Sequence, residues 1–529
     1  MHTMPFGATL LDDGGGVRFR LWAPDAPALR LRLEQAGVQR VLPMNALAEG
    51  WHELIVAEAR AGTRYSFVLP DGLAVPDPAS RFNPDDVHGA SEVIDPDGYR
   101  WNDSGWRGRP WHEAVVYELH VGTFTPEGTY AAAQQRLAEL AELGITAVEL
   151  MPLADFPGRR GWGYDGVLHF APDAGYGRPE DLKRFVDEAH RLGLMVLIDV
   201  VYNHFGPEGN YLHAYCKAFF NPAHQTPWGA AINFDGEHSQ RVRQFFVANA
   251  LYWVDEYHFD GLRMDAVHAI ADDSPTHIAV EVARTLRAGP GRFRHVHVVL
   301  ENDDNAARLL ARDDQNLPTG ADAQWNDDLH HAAHVLATGQ RDGYYADYAD
   351  DPVARLGRCL AEGFAYQGDP SAFREGKARG EPSAELPSTA FVSFLQNHDQ
   401  IGNRAFGERI SDLAPVARLD ALYACLLLSP HVPMLFMGEE FAASAPFLYF
   451  CDFGPELAAA VSKGRREEFG RFEAFNSEEA RAAIPDPNAE ASFTVSRPDW
   501  RQRELEPHAR RLALVRQLLA LRRQWLTPR

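Results

Sequence analysis

Four short apolar runs in this 529-residue chain each lead into a carboxylate. Met195-Val196-Leu197-Ile198 runs into Asp199, and Gly261-Leu262-Arg263-Met264 into Asp265. Val298-Val299-Leu300 runs into Glu301, and Phe391-Val392-Ser393-Phe394-Leu395 precedes Gln396-Asn397-His398-Asp399. Arg263, His204 and His398 stand beside these acids. A single Asp at a strand end is ordinarily a turn former or a helix cap. Three or four of them converging from chain-separated strands place like charges together, an arrangement tolerated where chemistry needs it.

Glycoside hydrolysis is a chemistry such a set suits. A retaining enzyme uses one ionised carboxylate as nucleophile and one protonated partner as general acid, about 5–5.5 Å apart. Their surroundings must push the two pKa values apart. Asp265 lies two residues from Arg263, so in a strand both side chains share a face. The arginine would keep Asp265 ionised, which favours it as nucleophile. Glu301 has a longer side chain and an apolar approach, which predict a raised pKa and the acid/base role. Asp399 would then stabilise the cationic sugar or hold its hydroxyls.

Such positions need a scaffold. Eight apolar runs read as strands, beginning near Val115, Ala147, Met195, Phe259, His297, Ala321, Phe391 and Pro433. Helical patterns separate them, with start and stop signals such as Pro179 and Gly193 around the helix after Arg178. Strands apolar on both faces and joined through helices pair in parallel. Eight units over about 330 residues predict an α/β fold, a (β/α)8 barrel over residues 111–450 with insertions, whose functional groups gather at the C-terminal strand ends. A doubly wound sheet is the alternative, but no glycine-rich phosphate loop follows the first strand. Residues 1–90 alternate apolar and polar in short runs and predict an immunoglobulin-like β-sandwich, with a linker over 91–110. Residues 451–529 read as an extension with an amphipathic helix from His508 to Leu526, its basic face solvated.

The stretches DVVYNH, GLRMDAVHAI, VVLEND and LQNHDQ resemble, in order and spacing, the four signature regions of the α-amylase superfamily, the family 13 glycoside hydrolases. The resemblance covers roughly residues 10–450. It implies Asp265 as nucleophile, Glu301 as acid/base and Asp399 as transition-state stabiliser. It also implies that Asp199, His204, Arg263 and His398 position the glucose to be cleaved, with Tyr164 stacked beneath it. The N-terminal sandwich is similar to those ahead of the barrel in branching enzymes, debranching enzymes and trehalose-releasing hydrolases. Residues 77–82, 226–235, 324–331 and 396–408 resemble the trehalose-releasing group most. That resemblance implies maltooligosyltrehalose, and α-1,4-glucan oligosaccharides generally, as substrate. It implies as pathway partner, without contact, a maltooligosyltrehalose synthase that makes that substrate. A 1,4-α-glucan branching enzyme is the competing expectation, and a catalytically idle glucan-binding relative a third. Gln400 and Arg404 are candidates to hold the trehalose unit, and Trp228 and Trp325 to contact sugar. The family ordinarily adds an antiparallel β domain after the barrel, expected to be absent here.

Composition narrows the rest. Lys and Arg number 51 against 74 Asp and Glu, a net charge of −23, which argues against nucleic acid and anionic membranes as partners. Four scattered cysteines and no signal-peptide or membrane-spanning pattern predict reduced buried thiols and a cytoplasmic enzyme. His330, His331 and His334 match no zinc spacing and read as helix packing and surface exposure. Asp303-Asp304 and Asp313-Asp314 read as solvated turns, not calcium loops. No cofactor and no required metal are expected.

Overall fold

The computed structural model describes residues 4–35, 37–226, 229–470, 475, 477–527 of the chain, and for Asp13 the backbone alone. Eight parallel strands close into one barrel. They are β1 (Val116–Leu119), β2 (Ala147–Leu150), β3 (Met195–Val200), β4 (Gly261–Met264), β5 (His297–Leu300), β6 (Ala323–Trp325), β7 (Phe391–Ser393) and β8 (Val432–Phe436). Each falls on one of the eight apolar runs. The register runs Glu118 to Glu149, Asp199 to Arg263 and Arg263 to Val299, with β8 returning to β1 through Leu435 and Tyr117. Residues Val116, Ala147, Leu197, Val299, Ala323, Val392 and Met434 fill the interior with apolar side chains, as a packed barrel requires.

Helices cover the outside wherever their apolar stripe faces the strands. Pro179–Arg191 starts on proline, with Glu180 and Asp181 in its first turn, and buries Leu182, Phe185, Val186 and Ala189. The helix Ser239–Glu256 buries Val242, Phe245, Phe246, Ala250 and Trp253. The last helix, His508–Trp525, packs against Val416–Leu427, which follows β7, and against Leu137–Leu143, which follows β1. It therefore fills the helical place after β8. Its basic residues are not all solvated: Arg511 and Arg522 are buried, and Arg522 donates to the carbonyls of Leu427, Ser429 and His431.

Two antiparallel sheets form the N-terminal sandwich. One runs in the order Gly7–Leu10, Val17–Trp22, Trp51–Val56, Asn45–Ala46. The other runs Val38–Pro43, Arg30–Gln35, Arg64–Val68, Ala74–Val75, with Ser91–Glu92 beside Arg64–Val68. The sandwich is fastened to the barrel by a buried ion pair from Arg81 to Glu256 (3.1 Å) and by Phe6 edge-on to Phe245. The stretch predicted as a linker is a strap. Tyr99 and Asn102 donate to Asp187, and Trp106 donates to Asp260 just before β4, so it runs along the N-terminal end of the barrel.

Candidate active site

Arg263 is the hub of the C-terminal face. Its side chain is fully buried, and one guanidinium nitrogen donates to Asp199 Oδ2 (2.5 Å), Asp265 Oδ1 (3.0 Å) and the Tyr164 hydroxyl oxygen (3.2 Å). The other donates to Glu301 Oε2 at 2.7 Å. The strand pleat brings Arg263 and Asp265 to one side, and strand register places Asp199 opposite Arg263. Glu301 Oε2 also accepts the Ala266 amide at 2.9 Å. That amide is available because Ala266 turns the chain into the left-handed region, with φ at 38°.

Tyr164 is set by Gly163. A side chain at Gly163 would stand 2.1 Å from the Pro152 carbonyl oxygen, and its φ of +97 suits glycine alone. The Tyr164 hydroxyl donates to Asp199 Oδ2 (2.6 Å), and its ring stacks on His398 at 5.0 Å between centroids. His204 bonds the Tyr164 carbonyl through Nε2 (3.0 Å), and burial lowers its pKa to about 4, so the neutral ring is the donor. Asp399 is the second residue of a short helix, His398–Gly402, capped by Asn397, whose Oδ1 accepts the Asp399 and Gln400 amides. Asn403 donates to Asp399 Oδ1 at 3.2 Å.

The charges order themselves differently from the sequence expectation. Burial pushes the Asp265 carboxyl well up, and Glu301, Asp199 and Asp399 push it further, against Arg263. Burial also pushes Glu301 up, but Arg263, His268 and the Ala266 amide outweigh it and leave its carboxyl below the usual value. Glu301, expected to be raised, is thus the better-matched anion of the free site, and Asp265 the one that favours a proton. The reason is local: Arg263 and Ala266 N–H both aim at Glu301 Oε2. Burial raises Asp199 and Asp399 too, against Arg263 and His398 respectively. Groups this close titrate as one set.

A cleft of about 260 Å³ opens beside Glu301 and Asp399, lined also by Asp327, His331, Gln400 and Asn403. Its far wall is the excursion between the helix Asp327–Thr338 and β7, which brings in Tyr344, Phe373 and Arg374. Gln400 donates to Asp327 Oδ1 at 3.4 Å. Arg404 is engaged by Gln340 and Glu408, not by Glu301 or Asp399. Trp325 is not a sugar platform: it is buried under Arg263, whose guanidinium carbon lies 4.0 Å from the indole centroid. Trp228 lies outside the described residues.

Other expectations are also revised. Asp303 and Asp304 are not a free turn, since Arg374 bridges both and Arg379 pairs with Asp303. His330, His331 and His334 are buried among Tyr345, Tyr348 and Phe394, none at the surface. Cys216, Cys359 and Cys451 are buried and Cys425 exposed, all unpaired. Among the described residues one group could share a cation, His224, Asp235 and Asp273, and none of the three lines the cleft. No described helix is long and apolar enough to cross a membrane.

Sequence reasoning passed over Glu118, Asp327, Tyr344, Phe373 and Arg374. Glu118 had a signal, a lone charge inside the apolar run Val115-Val116-Tyr117-Glu118-Leu119. Asp327 shares the strand-end pattern of the other acids. The three residues of the excursion carry no local pattern.

The family described as "Alpha amylase, catalytic domain" matches residues 81–228, and "Carbohydrate-binding module 48 (Isoamylase N-terminal domain)" matches residues 5–73. The chain is 46% identical over 98% of its length to a malto-oligosyltrehalose trehalohydrolase of Deinococcus radiodurans, covering 83% of that protein. It is 41% identical to one from Saccharolobus solfataricus, over 94% of this chain and 84% of the relative. The chain belongs to the malto-oligosyltrehalose trehalohydrolase family. A solved structure from Salmonella typhimurium, provisionally named an alpha amylase, superposes with a TM-score of 0.94 at 48% identity, over 99% of this chain and 87% of that one. A 1,4-alpha-glucan branching enzyme of Bacillus caldolyticus matches only 50% of this chain at 36% identity, so the competing expectation has the weaker support. The carbohydrate-binding-module match spans most of the two N-terminal sheets, and the alpha-amylase match spans the first three barrel strands.

Proposed function

We propose that this chain hydrolyses the α-1,4-glucosidic bond next to the terminal trehalose unit of maltooligosyltrehalose, releasing trehalose and a shortened maltooligosaccharide with retention. The gathering of Asp265 and Glu301 on two nitrogens of one buried guanidinium, in a chain of this family, carries the reading. Asp265 attacks the anomeric carbon, while Glu301 protonates the departing oxygen. Water, activated by Glu301, then hydrolyses the glucosyl-enzyme. Asp399 holds hydroxyls of the distorted glucose, with His398 beside it. Asp199, His204, Arg263 and Tyr164 fix the floor of that subsite.

The free-state charges fit this course if the substrate redistributes one proton. Burial and the neighbouring acids favour the proton on Asp265, while Arg263 and the Ala266 amide favour Glu301 as the anion. A glycosidic oxygen arriving at Glu301 competes with the Arg263 and Ala266 bonds. Once Glu301 leaves them, the same guanidinium is free to match Asp265 as the anion. Gln400, Asp327 and Arg374, which line the cleft beside Glu301 and Asp399, would then read the leaving trehalose by contacts to its hydroxyls.

The supplier of the substrate would be a reaction that converts the reducing end of an α-glucan into a trehalose unit. The unpaired cysteines suit the reducing cytoplasm. The test is a product assay on maltotriosyltrehalose and, separately, on maltopentaose. Free trehalose from the first, with little cleavage of the second, is expected. New α-1,6 linkages from amylose without trehalose would replace the reading with chain transfer.

A further inference from the structure

Strand β1 supplies none of the carboxylates bonded to Arg263, yet it carries Glu118 at 1% exposure. A charge placed there is costly unless it is matched. Glu118 Oε1 lies 2.5 Å from His398 Nδ1, and Glu118 Oε2 accepts the His398 backbone N–H at 3.2 Å. Two contacts to one residue fix both the ring and the start of the helix it begins. Because an ionised carboxylate only accepts, the proton on Nδ1 is assigned, and the ring points Nε2 at Asp399 Oδ1, 3.6 Å away. Tyr164 stacks on one face of the ring and Trp162 meets it edge-on at 5.4 Å, contacts that restrain the plane of the imidazole and leave to Glu118 the choice of which nitrogen faces it.

The surroundings of His398 are heavily charged. Asp399 belongs to its own helix, and His120 follows β1. Glu149 faces it from β2, Asp199 from β3, Arg263 from β4 and Glu301 from β5. Among the described residues only Glu118 bonds the imidazole at hydrogen-bond distance. Glu149, opposite Glu118 in register, is pushed well up by burial and by Glu118 and makes no hydrogen bond to the imidazole.

We propose that Glu118 is a positioning residue for the reaction: it holds His398 so that Nε2 presents an N–H to Asp399 and to the glucose being cleaved. This rests on the hydrolytic reading above. Burial alone would lower the His398 pKa, but Glu118 and Asp399 raise it to about 9, which keeps both ring nitrogens as donors through neutral pH. A neutral ring could place its one proton on either nitrogen, and the Nε2 donor would no longer be assured.

The experiment compares full-length wild type, E118Q and E118D on maltotriosyltrehalose and maltopentaose from about pH 5 to about pH 10. The amide of E118Q keeps the shape and removes the charge. E118Q is expected to lower kcat about ten- to a hundredfold, as loss of an orienting carboxylate does, with KM within about threefold. Its alkaline limb should move to lower pH, and E118D should recover part of both effects. A kcat within about twofold of wild type, or a fall in kcat with the alkaline limb unmoved, would overturn the proposal. If wild type cleaves maltopentaose but releases no trehalose, the trehalose reading fails, and the Glu118 comparison is read on maltopentaose. A second readout needs no turnover. In ¹⁵N-histidine spectra, the resonance that H398Q removes should show a doubly protonated ring near pH 8 in wild type and a singly protonated one in E118Q. The same charge state in both would overturn the proposal.

Discussion

Arg263 lies over the indole of Trp325, its guanidinium carbon 4.0 Å from the centroid, with its nitrogens spread toward Asp199, Asp265 and Glu301. The indole gives the cation a face it can lie against without water, and the planar fork does the rest. A lysine at this place is a point charge that cannot span Asp265 and Glu301 together. R263K is therefore expected to fold, with Tm within a few degrees, and to lose about a hundred- to ten-thousandfold in kcat/KM. R263K with kcat/KM near wild type would show that the bridging geometry is dispensable.

E301Q removes the carboxyl proposed as acid and base but keeps the bonds from Arg263 and Ala266, since an amide oxygen still accepts. Hydrolysis should fall by at least about a thousandfold, while binding of intact substrate by calorimetry stays within about threefold. D265N should give no trapped glucosyl-enzyme with a slow fluorinated glucosyl donor. An adduct located on another carboxylate by peptide mass spectrometry would move the nucleophile elsewhere.

Much of this site is legible in the sequence because its makers are local. The apolar runs define the strands, and an acid just past each run belongs at the strand's exit. Glu118 and His398 are 280 residues apart, and only barrel closure makes them neighbours. The inverted charge order of Asp265 and Glu301 turns on which carboxylate one guanidinium nitrogen and the left-handed Ala266 amide choose, a matter of ångströms that spacing does not encode. The strap over 91–110 has a loop's composition. Its order comes from distant partners, Asp187 and Asp260, that accept its donors. The final helix reads as a solvated basic face, because nothing in its own periodicity reveals that Arg522 meets three carbonyls.

Those three carbonyls make a prediction of their own. Arg522 satisfies Leu427, Ser429 and His431 at the end of the helix after β7, where backbone acceptors have no helical partner. R522M fills similar space but leaves buried acceptors unmet, at a cost of about 2–4 kcal/mol. Tm should fall by several degrees with kcat unchanged. An unchanged Tm would mean that water or another donor replaces the guanidinium.

Glu439 and Glu440 follow β8 and are both buried at about 1% exposure. Glu439 accepts from the Tyr423 hydroxyl and the Phe436 amide, and Glu440 accepts from the Tyr117 hydroxyl. Burial raises each carboxyl from 4.5 to about 7, more than their partners lower it. The folded chain therefore binds protons here that the unfolded chain has released. Their contribution to stability is complete below the unfolded value near 4.5 and is lost as pH climbs through about 7. Tm should decline between about pH 5 and pH 8. E440Q carries the neutral form at every pH and still accepts from Tyr117, so it should flatten that decline by up to about 3 kcal/mol. A decline as steep in E440Q as in wild type would place the proton uptake on other groups.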